Sequence, residues 1–269
     1  MAKLRPIIKT HGGKFYLSTW IIDQFPENYE ELDYCEPFCS GASVFLNKLP
    51  SEEETISDVD RGVICIFKAL RDEPKEFIGR IRRIKYTENT FKRALRVSQT
   101  EIKDYVDKAV NEYVLRRMSR GGMKKAFAWS DRMRGGQPGD VNAWQTMYKQ
   151  LPLIANRVKN TTILCTSFKD VVKIWDDENM LIYLDPPYLP STRSEGSRSV
   201  YDHEMSVDDH IAMLNFAKSA RAKILISGYA SPLYNRHLSE WKCIRKDMPN
   251  HSSQSKKKDR RIEYLWRNY

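Results

Sequence analysis

The sequence predicts an α/β protein whose parallel sheet is interrupted by a mainly helical, basic insertion. Short apolar runs alternate with amphipathic stretches at both ends of the chain, whereas residues 74–155 combine helical periodicity with many charges. The length of 269 residues suits one large α/β domain with such an insertion. No apolar run approaches the roughly 18 residues of a membrane span, so no membrane partner is expected.

The first part of the chain is predicted to fold as helix, strand, helix, strand, helix. Residues 15–25 form an amphipathic stretch that ends at Pro26, and runs at 34–38 and 55–59 predict short strands. A helix is expected from the small-residue turn at 39–43 through Leu49, and another over 61–71. Because strands alternate with helices, a parallel sheet follows.

The insertion is predicted as three charged helices, a Gly- and Arg-rich loop or short hairpin, and a longer helix interrupted near Pro152. The predicted ranges are 76–84, 88–97, 102–118, 120–140 and 141–158. The α/β alternation then returns, with strands at 161–166, 181–184 and 223–227 and a helix at 206–219. Residues 241–247 and 261–266 are predicted as an antiparallel pair around a basic loop, and no internal repeat is present.

Charge and cysteine content narrow the class of protein. Residues 74–135 contain 17 Lys or Arg and 7 Asp or Glu, which equals the whole chain's excess of +10. A second basic cluster includes Lys256, Lys257 and Lys258. Localised positive charge is typical of a polyanion partner, although a single patch is more often a solvated face. Five scattered cysteines and no signal peptide indicate free thiols, a cytoplasmic protein and no metal site.

The most informative motif is Asp185-Pro186-Pro187-Tyr188, which follows the apolar run 181–184. An apolar strand that ends in an acid and two prolines presents polar groups at its carboxyl end, where open α/β sheets bind ligands. The carboxylate of Asp185 and the Pro186 carbonyl could accept hydrogen bonds from an aromatic amine, while Tyr188 could stack on its ring. An ordinary Pro-Pro loop is the alternative.

Three further segments suggest a nucleotide-like ligand. Small residues follow Glu36 and Phe38 at a strand-to-helix turn around Gly41, although the full G-x-G-x-x-G pattern is absent. Asp58 ends the next strand, where an acid commonly binds ribose hydroxyls; a helix cap is the alternative. Phe168 and Asp170 follow another strand and could bracket an adenine.

Together these motifs resemble the Dam-type (alpha-group) N6-adenine-specific DNA methyltransferases over nearly the whole chain. The resemblance implies a Rossmann-like S-adenosylmethionine-dependent fold, with the catalytic domain at 1–73 and 156–269 and a target-recognition subdomain at 74–155. It implies S-adenosyl-L-methionine as cofactor, S-adenosyl-L-homocysteine as product, double-stranded DNA as partner and a flipped-out target adenine. A restriction nuclease is a candidate partner.

The resemblance also assigns roles to matching positions. Catalysis would fall to Asp185, Pro186 and Tyr188. The cofactor would contact Thr10, Lys14, Glu36, Phe38, Gly41, Asp58, Phe168, Asp170 and Asp185. DNA would contact Lys9, Arg120, Lys124, Lys125, Arg132, Arg134, Lys256, Lys257 and Lys258. The segment 120–139 does not align convincingly with the GATC-reading segment of Dam proteins, so the recognition sequence stays open. Methylation of cytosine N4, RNA or a protein amide, and a non-catalytic DNA-binding role, are the alternatives.

Overall fold

The structure is a computed structural model that describes residues 3–10, 12–174, 176–193, 203–249 and 260–269. Its α-helices are α1 Ser18–Ile22, α2 Arg61–Asp72, α3 Pro74–Arg82, α4 Glu88–Val97, α5 Tyr105–Met118, α6 Gly139–Val158, α7 Phe168–Ile174, α8 Val207–Ser219 and α9 Pro232–His237. Its strands are β1 Asp33–Glu36, β2 Glu54–Ser57, β3 Met133–Arg134, β4 Gln137–Pro138, β5 Thr162–Leu164, β6 Met180–Leu184, β7 Lys223–Gly228, β8 Lys242–Pro249 and β9 Arg260–Arg267. None of these helices is long and apolar enough to cross a membrane.

The chain divides into two compact units, each built from separate stretches. The first unit comprises residues 1–19, 40–48 and 60–165, and the second comprises 20–39, 49–59 and 166–269. The first unit therefore takes in α2 as well as the helices of the predicted insertion.

The second unit is built on an open, mostly parallel sheet. Its strands are neighbours in the order β2-β1-β6-β7-β9-β8. The pairs β1–β2, β1–β6 and β6–β7 are parallel, and β9 pairs antiparallel with both β7 and β8. Every residue of β2 and β6 is buried, as expected for parallel strands covered on both faces. The α/β class and the predicted antiparallel pair are confirmed.

The first unit is mainly helical, and three of its helices, α2, α4 and α5, begin at capping side chains. Asp60 accepts hydrogen bonds from the amides of Gly62 and Val63 and starts α2. Thr87 and Asp104 cap α4 and α5 in the same way. Helices α2 and α5 pack together, and both also contact α3. The core of this unit includes the fully buried Phe67, Phe77, Tyr113, Ile66 and Leu70.

The expectation of a helix through Leu49 is wrong. Residues 44–49, all of which the structure describes, form turns instead of a helix. The amides of Leu46 and Lys48 bond to carbonyls four residues back and that of Asn47 to the carbonyl three residues back, so only single turns form. Ser40 and Ala42, in the expected turn, have positive φ angles of 44° and 51°.

Other predicted elements differ mainly in length. Helix α1 covers five residues instead of the expected eleven at 15–25. Helix α6 runs through Pro152 without the expected interruption, because proline removes one hydrogen bond and need not end a packed helix. The predicted hairpin forms as β3 and β4, joined by Gly135 and Gly136 with φ angles of 60° and 78°. Such left-handed values at both turn positions favour glycine.

Candidate active site

Three acids lie at the carboxyl ends of three neighbouring parallel strands in the second unit. Glu36 is the last residue of β1, Asp58 follows β2, and Asp185 follows β6. Since β1 pairs with both β2 and β6, the three acids share one edge of the sheet. Glu36 is only 2% exposed, and its Oε2 accepts a hydrogen bond from the Tyr34 hydroxyl at 2.8 Å. This is the edge where open α/β sheets bind ligands.

The carboxylate of Asp185 is oriented by a chain of buried hydroxyls. Ser227 Oγ donates to Asp185 Oδ1 at 2.7 Å, and Tyr183 Oη lies 3.0 Å from Ser227 Oγ. Burial, followed by the charge of Asp185, raises the pKa of Tyr183 far above its usual range. The Tyr183 hydroxyl therefore keeps its proton and can donate to Ser227. The result is a half-buried carboxylate with one oxygen fixed by the neighbouring strand.

Tyr188 is held through its hydroxyl, its ring and its carbonyl. The hydroxyl donates to Glu263 Oε1 on β9. The ring lies 4.6 Å from that of Tyr229 in an edge-to-face arrangement. The carbonyl accepts from Nε of Arg193 at 2.6 Å and from a second nitrogen of the same guanidinium, which also pairs with Glu204 at 2.6 Å. These contacts fix the Asp185–Tyr188 segment, hereafter the Asp185 loop.

A buried histidine lies behind the Asp185 loop. His210 is fully buried, and its Nδ1 lies 2.9 Å from the Tyr234 hydroxyl. Burial, followed by the charge of Arg193, lowers the pKa of His210 to about 4, while the backbone of Pro187 acts in the opposite direction. The imidazole is therefore neutral at physiological pH.

The predicted adenine-binding residues meet in the second unit. The rings of Phe38 and Phe168 lie 5.5 Å apart, and Phe168 begins α7. Asp170 accepts hydrogen bonds from the hydroxyls of Ser167 at 2.8 Å and Thr166 at 3.2 Å. These two bonds lower the pKa of Asp170, so its carboxylate is ionised at neutral pH.

Asp58 is not the cap of the following helix. That role belongs to Asp60, whose Oδ1 accepts from Gly62 and Val63. Asp60 is also bound by the buried Arg116 at 2.6 Å, and Arg116 in turn binds Glu112 at 3.2 Å. The helix-cap alternative for Asp58 is therefore removed, and its ribose-binding role stays a prediction.

Thr10, Lys14 and Gly41 belong to the first unit. Lys14 is buried, and its Nζ donates to the Gly12 carbonyl at 3.0 Å. A Cβ on Gly41 would meet Pro6 Cβ at 2.9 Å, so the absence of a side chain there allows close packing within the chain.

Lys9 lies in a cluster of two cations and one acid within the first unit. Its Nζ is 3.4 Å from Asp140 Oδ1. Burial, followed by the charge of Arg117, lowers its pKa. The Arg117 guanidinium is buried, and its Nε has no hydrogen-bond partner among the described residues. Gly122 packs against the Lys9 backbone, because a Cβ there would come within 1.8 Å of the Lys9 carbonyl.

The predicted DNA-reading cations differ in exposure. Arg120, Lys125, Arg132 and Arg134 are exposed, whereas Lys124 is half-buried with its Nζ 3.8 Å from Glu112. Lys124 also has a positive φ of 58°, and its amide donates to Ser119 Oγ at 2.9 Å. Lys256, Lys257 and Lys258 lie outside the described residues.

Sequence reasoning did not identify Ser227, Glu263, Arg193 or His210 as individual site residues. Ser227 is 42 positions from Asp185, and Glu263 is 75 positions from Tyr188. Their proximity depends on the order of β6, β7 and β9 in the sheet. The continuous apolar run before Ser227 was the available signal, because a hydroxyl in a buried strand needs a hydrogen-bond partner.

Comparisons with known proteins indicate the family. The model of the D12 class N6 adenine-specific DNA methyltransferases matches residues 11–251. A DNA adenine methylase from Vibrio cholerae serotype O1 is 25% identical over 236 residues, covering 85% of this chain and 83% of that protein. Type II methyltransferase M.MjaIII from Methanocaldococcus jannaschii is 23% identical over 290 aligned residues, covering 99% and 100%. Type II methyltransferase M.CviBI from Paramecium bursaria Chlorella virus NC1A is 26% identical over 231 residues, covering 83% and 82%.

Proposed function

Because this chain belongs to the D12 class N6 adenine-specific DNA methyltransferases, we propose that its Asp185 loop transfers a methyl group to the N6 amine of an adenine flipped out of duplex DNA. One observation supports the proposal above the others. The Asp185 carboxylate, at the carboxyl end of the central parallel strand β6, is oriented by a hydrogen bond from Ser227. The next residue, Pro186, offers a second acceptor through its carbonyl. Base flipping would cost a few kcal/mol, offset in part by stacking on an aromatic ring.

The residues at the sheet edge fit the methyl donor S-adenosylmethionine. When bound, this cofactor would supply an electrophilic methyl group on a positively charged sulfonium. The buried carboxylate of Glu36 suits a cationic ligand, and Asp58 follows the adjacent strand at the position expected for ribose binding. The paired rings of Phe38 and Phe168, with the ionised Asp170, suit an adenine base. The cofactor contacts expected of Thr10, Lys14 and Gly41, which belong to the first unit, stay predictions from the sequence.

Asp185 and Pro186 would activate the target amine. The N6 amine of adenine is a weak nucleophile because its lone pair is delocalised into the ring. Acceptance of its two N–H bonds by the Asp185 carboxylate and the Pro186 carbonyl favours a pyramidal nitrogen with a localised lone pair. Positive charge then develops on nitrogen beside a fixed carboxylate, so stabilisation is greatest in the transition state. Tyr188, or the half-buried Tyr229 beside it, would face the flipped ring.

DNA would be bound by cations of the first unit and by Lys256, Lys257 and Lys258, which lie outside the described residues. We assign phosphate and base contacts to the exposed Arg120, Lys125, Arg132 and Arg134. Lys9 is assigned a DNA contact that requires it to leave Asp140. Lys124 is the weakest candidate for base reading, because Glu112 competes for its ammonium group.

The decisive variant is Asp185→Asn, which keeps the shape of the side chain and removes its charge. We expect kcat for methyl transfer to fall by about 10²–10³-fold, comparable to loss of one strong transition-state interaction. Cofactor affinity, measured by calorimetry, should change little. Asp58→Asn is the matched control, for which we expect weaker cofactor binding and a kcat near normal at saturation. Near-normal turnover in Asp185→Asn would contradict the catalytic assignment.

A further inference from the structure

A basic groove lies on the helical unit, between one face of α3 and one face of the C-terminal half of α6. Its volume is about 600 Å³. On α3 the lining residues Lys75, Ile78, Gly79 and Arg82 follow the i, i+3, i+4, i+7 spacing of one helix face. On α6, Tyr148, Pro152, Ala155 and Asn156 share a face in the same way, and the C-cap Lys159 and Arg71 also line the groove. No Asp or Glu is among these described lining residues.

Three cations of the groove have no partner within the part of the chain that the structure describes. Lys75, Arg82 and Lys159 are exposed and form no ion pair or side-chain hydrogen bond with any described residue. Arg80, on another face of α3, contrasts with them. It binds Glu76 at 2.7 Å, Asp104 at 2.9 Å and Asp107 at 2.5 Å. The unneutralised charge of α3 is therefore on the side that faces the groove.

Gly79 gives an independent indication that the groove is kept open. Glycine in a helix interior costs stability relative to alanine, so a close contact that excludes a side chain would explain it. Packing does not supply that reason, since a Cβ on Gly79 would meet nothing within 4 Å and its φ is not left-handed. The missing side chain instead deepens the floor of the groove between Lys75 and Arg82, where a ligand could approach the helix backbone.

We propose that this groove binds the phosphodiester backbone of DNA outside the methylated site. A row of free cations over a floor without acids fits a polyanion. DNA is favoured over an acidic peptide because it is the substrate of this family. Once DNA is held elsewhere on the protein, its flanks are present at high effective concentration. The inference rests on DNA as substrate and does not depend on which residues read the sequence.

The spacing of the cations agrees with a duplex whose axis runs parallel to α3. Lys75 and Arg82 are seven residues apart, or about 10.5 Å along the axis of α3. This is close to three base-pair steps of about 3.4 Å along the DNA helix axis. Along α6, Asn156 lies 16 residues from Asp140, the partner of Lys9, which corresponds to about 24 Å or roughly seven base-pair steps. One duplex could therefore reach both ends of α6.

The test compares two variants with equal changes in charge. In the groove variant, Lys75, Arg82 and Lys159 are replaced by Gln; in the control variant, the exposed Lys218, Lys242 and Arg245 of the second unit are replaced by Gln. Affinity for a mixed-sequence duplex of about 30 bp is measured by fluorescence anisotropy against salt concentration. We expect the slope of log K against log salt to shrink by about three in the groove variant and by less than one in the control.

A third variant tests whether DNA enters the groove or is only attracted by the positive charge around it. Gly79→Leu leaves the charge unchanged and fills the floor, so we expect it to weaken binding to the same duplex. The kcat at saturating DNA should stay near normal in all three variants, whereas failure of the proposed catalytic site would be seen only in Asp185→Asn. Equal salt slopes in the groove and control variants would overturn the proposal. It would also be overturned if the groove variant lost binding to a poly-glutamate peptide and kept its DNA binding.

Discussion

His210 is a base that the folded protein keeps uncharged. Its ring is fully buried behind the Asp185 loop and bonds to the Tyr234 hydroxyl, and its pKa falls from the usual 6.5 to about 4. At pH values between these two pKa values, the imidazole of His210 is protonated in the unfolded chain and neutral in the native state. Unfolding is therefore favoured as the pH falls, so native stability rises with pH through this window.

We expect His210 to make the free energy of unfolding decline by about 3 kcal/mol as the pH drops from about 6.5 to about 4. In His210→Gln, which cannot gain a proton, this part of the decline should be absent. Urea unfolding at a series of pH values measures both curves. Parallel curves for native protein and variant would show that His210 is not buried in its neutral form.

Ser227 is a positioning residue for Asp185, because it touches the carboxylate at 2.7 Å and no substrate contact is assigned to it. We expect Ser227→Ala to lower kcat by about tenfold, since one oriented hydrogen bond to a charged group contributes about 1.5–3 kcal/mol at most. Ser227→Thr keeps the hydroxyl and should restore part of the activity. A variant with reduced cofactor affinity and unchanged kcat would contradict this role.

At the residue scale, the sequence predicts the candidate site residues at the ends of strands. It does not predict the residues that hold those side chains in place by hydrogen bonds. Asp185 and Asp58 were identifiable because an apolar run ends at each of them. Glu263 and His210 lie in ordinary amphipathic stretches, and nothing local indicates that they face Tyr188 or Pro187. Such support depends on the strand order, which the sequence left unspecified.

Two glycines in helices, Gly62 and Gly79, differ in the space that a side chain would find at each position. In α2, a Cβ on Gly62 would meet Glu112 Oε2 at 2.5 Å. That carboxylate already bonds to the buried Arg116, so it cannot move away freely. In α3, Gly79 has open space instead. The first glycine is required by an ion-pair network between α2 and α5, whereas the second is not required by any contact of the described residues.

The two alanine variants should therefore change stability in opposite directions. We expect Gly79→Ala to raise the free energy of unfolding by about 0.5–1 kcal/mol through helix propensity. Gly62→Ala should lower it by about 1–3 kcal/mol, because overpacking displaces a partner of a buried arginine. Urea denaturation of both variants provides the comparison. Stabilisation by Gly62→Ala would mean that the Glu112–Arg116 pair contributes little.

At the element scale, the bounds of α4 and α2 were predicted closely, whereas α5, which Asp104 caps, was predicted from residue 102 and begins at Tyr105. Helix α4 was predicted at its observed bounds of Glu88–Val97, and α2 differed by one residue, because Thr87 and Asp60 are strong caps. The segment 44–49 has apolar spacing that suits a helix, yet it forms only single turns, and Ser40 and Ala42 before it adopt left-handed backbone angles. Helices α7 and α9 were missed because seven or six residues give too little periodicity.

At the scale of the whole molecule, the reactivity of the five cysteine thiols can measure how readily each compact unit opens. Cys165 and Cys243 are exposed, Cys35 and Cys39 are buried in the second unit, and Cys65 is half-buried in the first. Burial, and then the charge of Glu112, raises the pKa of Cys65 to about 12; burial raises that of Cys35 further. Since the thiolate is the reactive form, these buried thiols should react only when their unit opens.

We expect a maleimide reagent to label Cys165 and Cys243 rapidly in the native protein and the other three slowly. Mass spectrometry of digests taken over time assigns the rate at each position. Different opening rates for Cys65 and Cys35 would show that the units open separately, and equal rates would show a single cooperative transition. Rapid native labelling of Cys35 would contradict its burial.

The order of strands at the end of the sheet constrains how the protein can be made. Strand β9 lies between β7 and β8, although β8 comes first in the chain. During synthesis, β8 therefore emerges from the ribosome before its partner strand, and it can form its hydrogen bonds in the sheet only after β9 has emerged. The same late strand brings Glu263 to the hydroxyl of Tyr188. A growing chain thus contains the Asp185 loop long before it contains the strand that supports this loop. The activity proposed for the loop should therefore begin only when β9 has left the exit tunnel.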